Sequence, residues 1–111
     1  MTTINVSKSR KQYLIVLKGH AGFDMSGNDV VCHGISMLGF TLLQALLDAE
    51  ETGLLRNLSQ RIDDAEIEAS FEPVNRGKVD VILDTILCGF RLLQTRYPDY
   101  CKLEVGGEIA L

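Results

Sequence analysis

The sequence lacks any excess of positive charge. Its 111 residues hold 11 lysines and arginines against 15 aspartates and glutamates, a formal net charge of −4. Gripping a nucleic-acid backbone needs a basic face, so direct nucleic-acid binding is disfavoured, while a basic protein partner remains open. No apolar run is expected to reach the ~20 residues that cross a bilayer, so no membrane association is expected. Met1-Thr2-Thr3-Ile4-Asn5-Val6 has no charged segment ahead of an apolar one and does not read as a secretory signal. There are only three cysteines, Cys32, Cys88 and Cys101, an odd count with no CxxC spacing. That argues against a secreted disulfide scaffold and for a cytoplasmic chain with reduced thiols. Internal repeats and linker-like stretches are also missing, so residues 1–111 are expected to form a single domain. What is present is enough to fold: 46% hydrophobic and 23% charged residues build a core and exclude a disordered chain.

Thr2 to Val6 reads as a short first strand and Ser7 to Lys11 as a turn. Tyr13-Leu14-Ile15-Val16-Leu17 is continuously apolar, which predicts a strand buried on both faces, with helices or a second subunit as the covers. From Val30 the period becomes helical. Val31, Ile35, Leu38, Leu42 and Leu46 fall on one stripe, Cys32, Ser36, Gly39 and Leu43 on its neighbour, and Gly53 is the expected end. The interior glycines Gly34 and Gly39 each cost about 1 kcal/mol against alanine and imply a close approach of another element. Leu54 to Ser59 shows no clear pattern and reads as a connection. Ala65, Ile67, Ala69 and Phe71 alternate with polar residues, as in a strand with one wet face. Val79, Ile82, Leu83, Ile86, Leu87, Phe90 and Leu93 predict a second helix that stops near Tyr97, before Pro98. Cys101 to Val105 is a last strand. The expected fold is α+β: a single small sheet of about four strands, in the order β-β-α-β-α-β, packed with two helices.

Chemistry concentrates between Gly19 and Ser36. His20 stands where an apolar strand runs out into a loop rich in glycine and polar residues. Asn28 or Asp29 is a fitting N-cap for the helix that follows, and with Asp29 in that role Cys32 is its third residue. Free N–H groups and a dipole worth about +0.5 charge favour a thiolate there, and an adjacent imidazole supplies a base. Those are the parts of a Cys–His dyad with backbone oxyanion donors. Plainer roles stand beside it. A free cysteine on a helix often only fills space, Asp29 often only caps, and a mid-helix serine such as Ser36 often bonds back to the preceding turn. His20, Asp24, Cys32 and His33 form a conceivable metal set, but without metal-ligand spacing, so no metal and no cofactor is expected. Gly19-His20-Ala21-Gly22 is not a dinucleotide or phosphate loop. Cys88, inside an apolar helical run, is expected in the core, and Cys101 suggests no chemistry.

The same residues carry a family resemblance. Gly19-His20-Ala21 at a strand end, then Gly27-Asn28-Asp29-Val30-Val31-Cys32-His33-Gly34-Ile35-Ser36, resembles the ribosomal-processing cysteine proteases called Prp, and Tyr97-Pro98-Asp99-Tyr100 before a final strand is similar as well. The resemblance spans essentially the whole chain. It implies a homodimeric endopeptidase of the bacterial cytoplasm that removes the N-terminal extension of a large-subunit ribosomal protein (L twenty-seven) during ribosome assembly. It maps the nucleophile to Cys32 and the histidine to His20, with Gly19, Asp29 and Ser36 as supporting positions. The family commonly has two alanines after the cysteine, where this chain has His33-Gly34. Gly22, Phe23, Met25 and Gly27 then belong to a loop expected to meet the substrate, Phe23 and Met25 through apolar contact. The alternative is a non-catalytic dimeric module that holds a peptide or ribosomal protein in the same cleft.

Overall fold

The computed structural model describes residues 1–19, 30–63 and 66–106. Strand β1 (Thr2–Lys8) leads to β2 (Tyr13–Lys18), then helix α1 (Val30–Glu51), strands β3 (Leu55–Asp63) and β4 (Glu66–Pro73), helix α2 (Arg76–Arg96) and strand β5 (Cys101–Gly106). All five strands form one sheet in the order β3-β4-β2-β1-β5, antiparallel except for the β1–β5 pair. The α+β class and the two helices are as expected, with a fifth strand added. That strand, β3, covers the stretch without a clear pattern. It lies at the sheet edge, where only one neighbour has to be satisfied, so residues such as Arg56, Asn57, Ser59 and Arg61 need not alternate. A bulge between Arg56 and Ser59, with Asn57 at φ 56°, breaks the alternation further.

Both helices pack on one face of the sheet. Ile4, Val6, Tyr13, Ile15, Leu17, Ala69, Phe71 and Cys101 meet Val31, Ile35, Leu42, Leu46, Val79, Leu83, Leu87 and Phe90 in a continuous core. The double burial expected of β2 is therefore corrected. Tyr13, Ile15 and Leu17 point into the core, whereas Leu14 is exposed and Val16 only half-buried. Their face is otherwise polar: Arg61 of β3 bonds Asp63, Glu66 and Glu68 across it. Cys88 is corrected too. It is exposed, because the buried stripe of α2 runs through Leu83, Ile86, Leu87 and Phe90, and the next residue after Leu87 turns about 100° away from it. One expectation needs correction: by length and composition the helical residues Val31–Glu51 are apolar enough to cross a bilayer, because polar residues are spread thinly among the apolar ones. In the fold they are a core helix, with Leu42, Leu43, Leu46 and Ala49 buried against the sheet and α2.

The helix ends follow local chemistry. Gly53, at φ 79°, ends α1: its N–H donates to Glu50 O at 3.0 Å, and Leu54 N–H donates to Ala49 O at 2.9 Å. This paired arrangement needs a residue in the left-handed region at Gly53. Asn75 caps α2 by accepting the Lys78 N–H at 3.1 Å. At the other end the Tyr97 N–H donates to Leu93 O before Pro98 closes the helix.

Candidate active site

The strand register brings distant parts of the chain to one end of the sheet. Thr3 faces Lys18 and Thr2 faces Cys101, so the start of β1, the end of β2 and the start of β5 lie together. The last turns of α2 arrive there as well, since only four residues separate Arg96 from Cys101. The first turns of α1 join them through a close crossing at Gly34. A Cβ at that position would lie 3.3 Å from both methyls of Leu93 on α2. Further along, a Cβ at Gly39 would lie 3.2 Å from Ile67 and Leu17. Both interior glycines thus sit where another element comes close, as their helical positions imply. Gly34, which follows His33, is thus the residue that admits Leu93.

Cys32 is the third residue of α1, half-buried and packed against the core. The first turn of α1 carries no acidic side chain. His33 follows and is exposed. Ser36, one turn further, is exposed as well. The apolar strand ends at Lys18, and Gly19 follows at φ 92°, a conformation that L side chains rarely adopt. Gly19 and Cys32 therefore stand at the same end of the molecule, as the exit from the sheet and the entry to the helix. His20, Gly22, Phe23, Asp24, Met25, Gly27 and Asp29 lie outside the described residues. Of the conceivable metal set, only Cys32 and His33 fall within them.

The Tyr97–Tyr100 turn closes this end. Tyr100 and Cys101 both donate their N–H groups to Tyr97 O, at 3.0 and 3.2 Å, and Tyr100 O accepts the Thr2 N–H at 2.9 Å. Cys101 is fully buried and burial pushes its thiol up, which suits a space-filling role. Thr2 carries no sequence motif. Its one signal is a hydroxyl at a position that shares a strand face with Ile4 and Val6, and it is the one buried polar residue among those described.

No curated protein matches the chain. Among solved structures, the essential ribosomal processing protease Prp from S. aureus, in complex with a covalently linked product peptide, aligns with a TM-score of 0.73 at 20% identity, over 96% of this chain and 100% of that one. SMU.848 from Streptococcus mutans aligns with a TM-score of 0.68 at 21% identity, over 97% and 96%. The S. aureus protease with a substrate peptide gives a TM-score of 0.62 at 19% identity, over 97% and 100%. At such identities the likeness speaks for the fold. The family model described as cysteine protease Prp matches residues 1–102, from β1 through the Cys32 helix into β5, and the chain belongs to that family of cysteine proteases.

Proposed function

We propose that this cysteine protease is an endopeptidase that removes the N-terminal extension of a large-subunit ribosomal protein (L twenty-seven) during ribosome assembly in the bacterial cytoplasm, by a Cys32–His20 dyad. The observation that carries the reading is the convergence of Gly19, which covalently precedes His20, and the first turn of α1, which holds Cys32, at one end of the sheet. The S. aureus structures with a product and a substrate peptide support peptide cleavage as the reaction class.

In this mechanism the Cys32 thiol gives its proton to His20, and its sulfur attacks the scissile carbonyl. N–H groups at the start of α1 hold the oxyanion. His20 returns the proton to the leaving amine, and water then hydrolyses the thioester. Asp29 caps α1 and orients His20, while Gly22, Phe23, Met25 and Gly27 meet the substrate. The acidic net charge suits a basic substrate tail. A peptide spanning the extension junction tests this. Cys32→Ala and His20→Ala should each abolish cleavage, and the double variant should be little worse than either single one, because the two residues act as a unit. Full activity of either single variant refutes the dyad. A Cys32→Ala protein that binds the peptide, with a wild type that never cuts it, would favour the binding module.

The homodimer belongs to the same reading, on a different surface from the one the sequence suggests. The polar open face of the sheet is a poor seat for a second subunit. Exposed apolar side chains lie instead on the outer helix faces, Met37, Phe40 and Leu47 on α1 and Val81 and Leu92 on α2. Sedimentation equilibrium at micromolar concentration should give twice the 12.3 kDa chain mass, and Phe40→Lys with Val81→Lys should reduce it to one. A single-chain mass for the wild type overturns the dimer.

A further inference from the structure

We propose that Thr2 is a positioning residue for His20, acting through the backbone of Gly19. The inference rests on the reading of His20 as the base. The Thr2 hydroxyl donates to Gly19 O at 3.2 Å, across 17 residues of chain. The Thr2 backbone N–H donates in the opposite direction, to Tyr100 O at 2.9 Å. One residue therefore ties the exit of β2 to the turn that leads into β5. The hydroxyl is held away from water, since Thr2 is only 3% exposed.

The bonded atom explains the consequence. Gly19 O and the His20 N–H belong to one planar peptide unit, so fixing the oxygen fixes the plane from which the His20 side chain departs. Gly19 is the residue where that plane has most freedom to turn, because glycine lacks the steric limits of other residues. A side chain has no room there: at φ 92° a Cβ on Gly19 would lie 2.7 Å from Met1 O. Met1 and Thr2 thus form a seat that accepts only glycine ahead of the histidine, and the Thr2 hydroxyl sets its rotation. A strand needs no hydroxyl at this place. The register of β1 already pairs Thr3 with Lys18 and Ile4 with Leu17 by backbone bonds. The hydroxyl adds a constraint beyond the ladder, on the peptide unit next to the proposed base.

Loss of the hydroxyl should let the base wander, and a displacement on the order of 1 Å costs up to about a hundredfold in rate. Thr2→Val, which keeps shape and removes the donor, should lower kcat on the junction peptide by about tenfold, with KM within about twofold of wild type. Thr2→Ser, which restores the donor, should recover most of that loss. Rates are taken below the melting transitions, where circular dichroism shows both variants native, so lower stability does not enter. A wild-type kcat for Thr2→Val, or a loss that Thr2→Ser fails to recover, overturns the proposal while leaving His20 as the base. Full activity of His20→Ala overturns the reading of the base, and this proposal with it.

Discussion

The two ends of the molecule are held together by different means. At the end away from Cys32, side chains interlock. Tyr13, fully buried, donates its hydroxyl to Asp80 at 2.8 Å and accepts from Arg76 at 3.0 Å. Lys8 bonds the same Asp80 oxygen at 3.1 Å, and Arg76 also reaches the carbonyls of Ser9 and Arg10. The β1–β2 turn is thereby clamped to the start of α2. At the Cys32 end the ties named among the described residues are backbone carbonyls, the Thr2 hydroxyl and glycines that permit close crossings: Gly19 O, Tyr100 O, Tyr97 O and Gly34. Charged partners hold the far end, where no chemistry is proposed. The end that carries Cys32 has no acidic side chain in the first turn of α1.

Substitutions should therefore separate activity from stability according to the end they strike. The largest contrast lies between two cysteines at the same end. Cys32 sits half-buried in the first turn of a helix, whereas Cys101 is sealed in the core with its thiol pushed up by burial. In the native protein at neutral pH, iodoacetamide should modify Cys32 at least about a hundredfold faster than Cys101, with exposed Cys88 between them. Site-resolved mass spectrometry measures all three. Equal rates for Cys32 and Cys88 would remove the special status of the helix start.

Next in size is Tyr13→Phe, which strips the shared hydroxyl from Asp80 and Arg76. It should cost about 1–3 kcal/mol, read as a lower denaturant midpoint, with kcat unchanged. The pH dependence identifies the cause. Burial, and then the Asp80 contact, raise the Tyr13 pKa above the ordinary tyrosine value, while Arg76 pulls the other way. The folded state therefore holds this proton more tightly than the unfolded chain. The contribution is fully present below the unfolded pKa and is lost as pH rises through the folded one. Wild type should lose stability above about pH 10 more steeply than Tyr13→Phe. Parallel curves would mean that folding does not tighten the hold on the Tyr13 proton.

The smallest effects compare two helix glycines. A Cβ at Gly89 would lie 2.6 and 2.9 Å from the methyls of Leu38, against 3.3 Å for Gly34 and Leu93. Overpacking should outweigh the helix-propensity gain of about 1 kcal/mol at Gly89, so Gly89→Ala destabilises by about 1–2 kcal/mol. At Gly34 the two terms should nearly cancel, and Gly34→Ala should stay within about 0.5 kcal/mol of wild type and remain active. Urea melts of the two variants rank them directly, and a larger loss at Gly34 would reverse the ordering.

Much of the fold is legible residue by residue where the determinants are local. Gly53 and Pro98 mark the helix ends, and the alternation around Ala69 and Phe71 marks β4. The stripe from Val31 to Leu46 marks α1, although Leu38, which lies over Gly89 at the helix crossing, is only partly buried. The candidate site is legible as a motif, His20 to Cys32, because a strand exit and a helix start are local events with chemical signatures. Other features leave little local trace. β3 carries a mixed pattern because an edge strand has one partner and here also a bulge. Cys88, inside an apolar helical run, looks like a core filler, and only the packing shows that it faces out.

By itself the sequence determined the α+β class, two helices and their ends, every strand but β3, and the block that carries the family resemblance, since each depends on spacing within a few turns or on residue types that bias their own backbone. Only the tertiary structure decided that both helices share one face, that Leu14 is left exposed, that Gly34 admits Leu93, and that Thr2 reaches Gly19. These depend on which surfaces meet across the fold. A hydroxyl in a strand looks the same in sequence whether it faces water or a carbonyl 17 residues away.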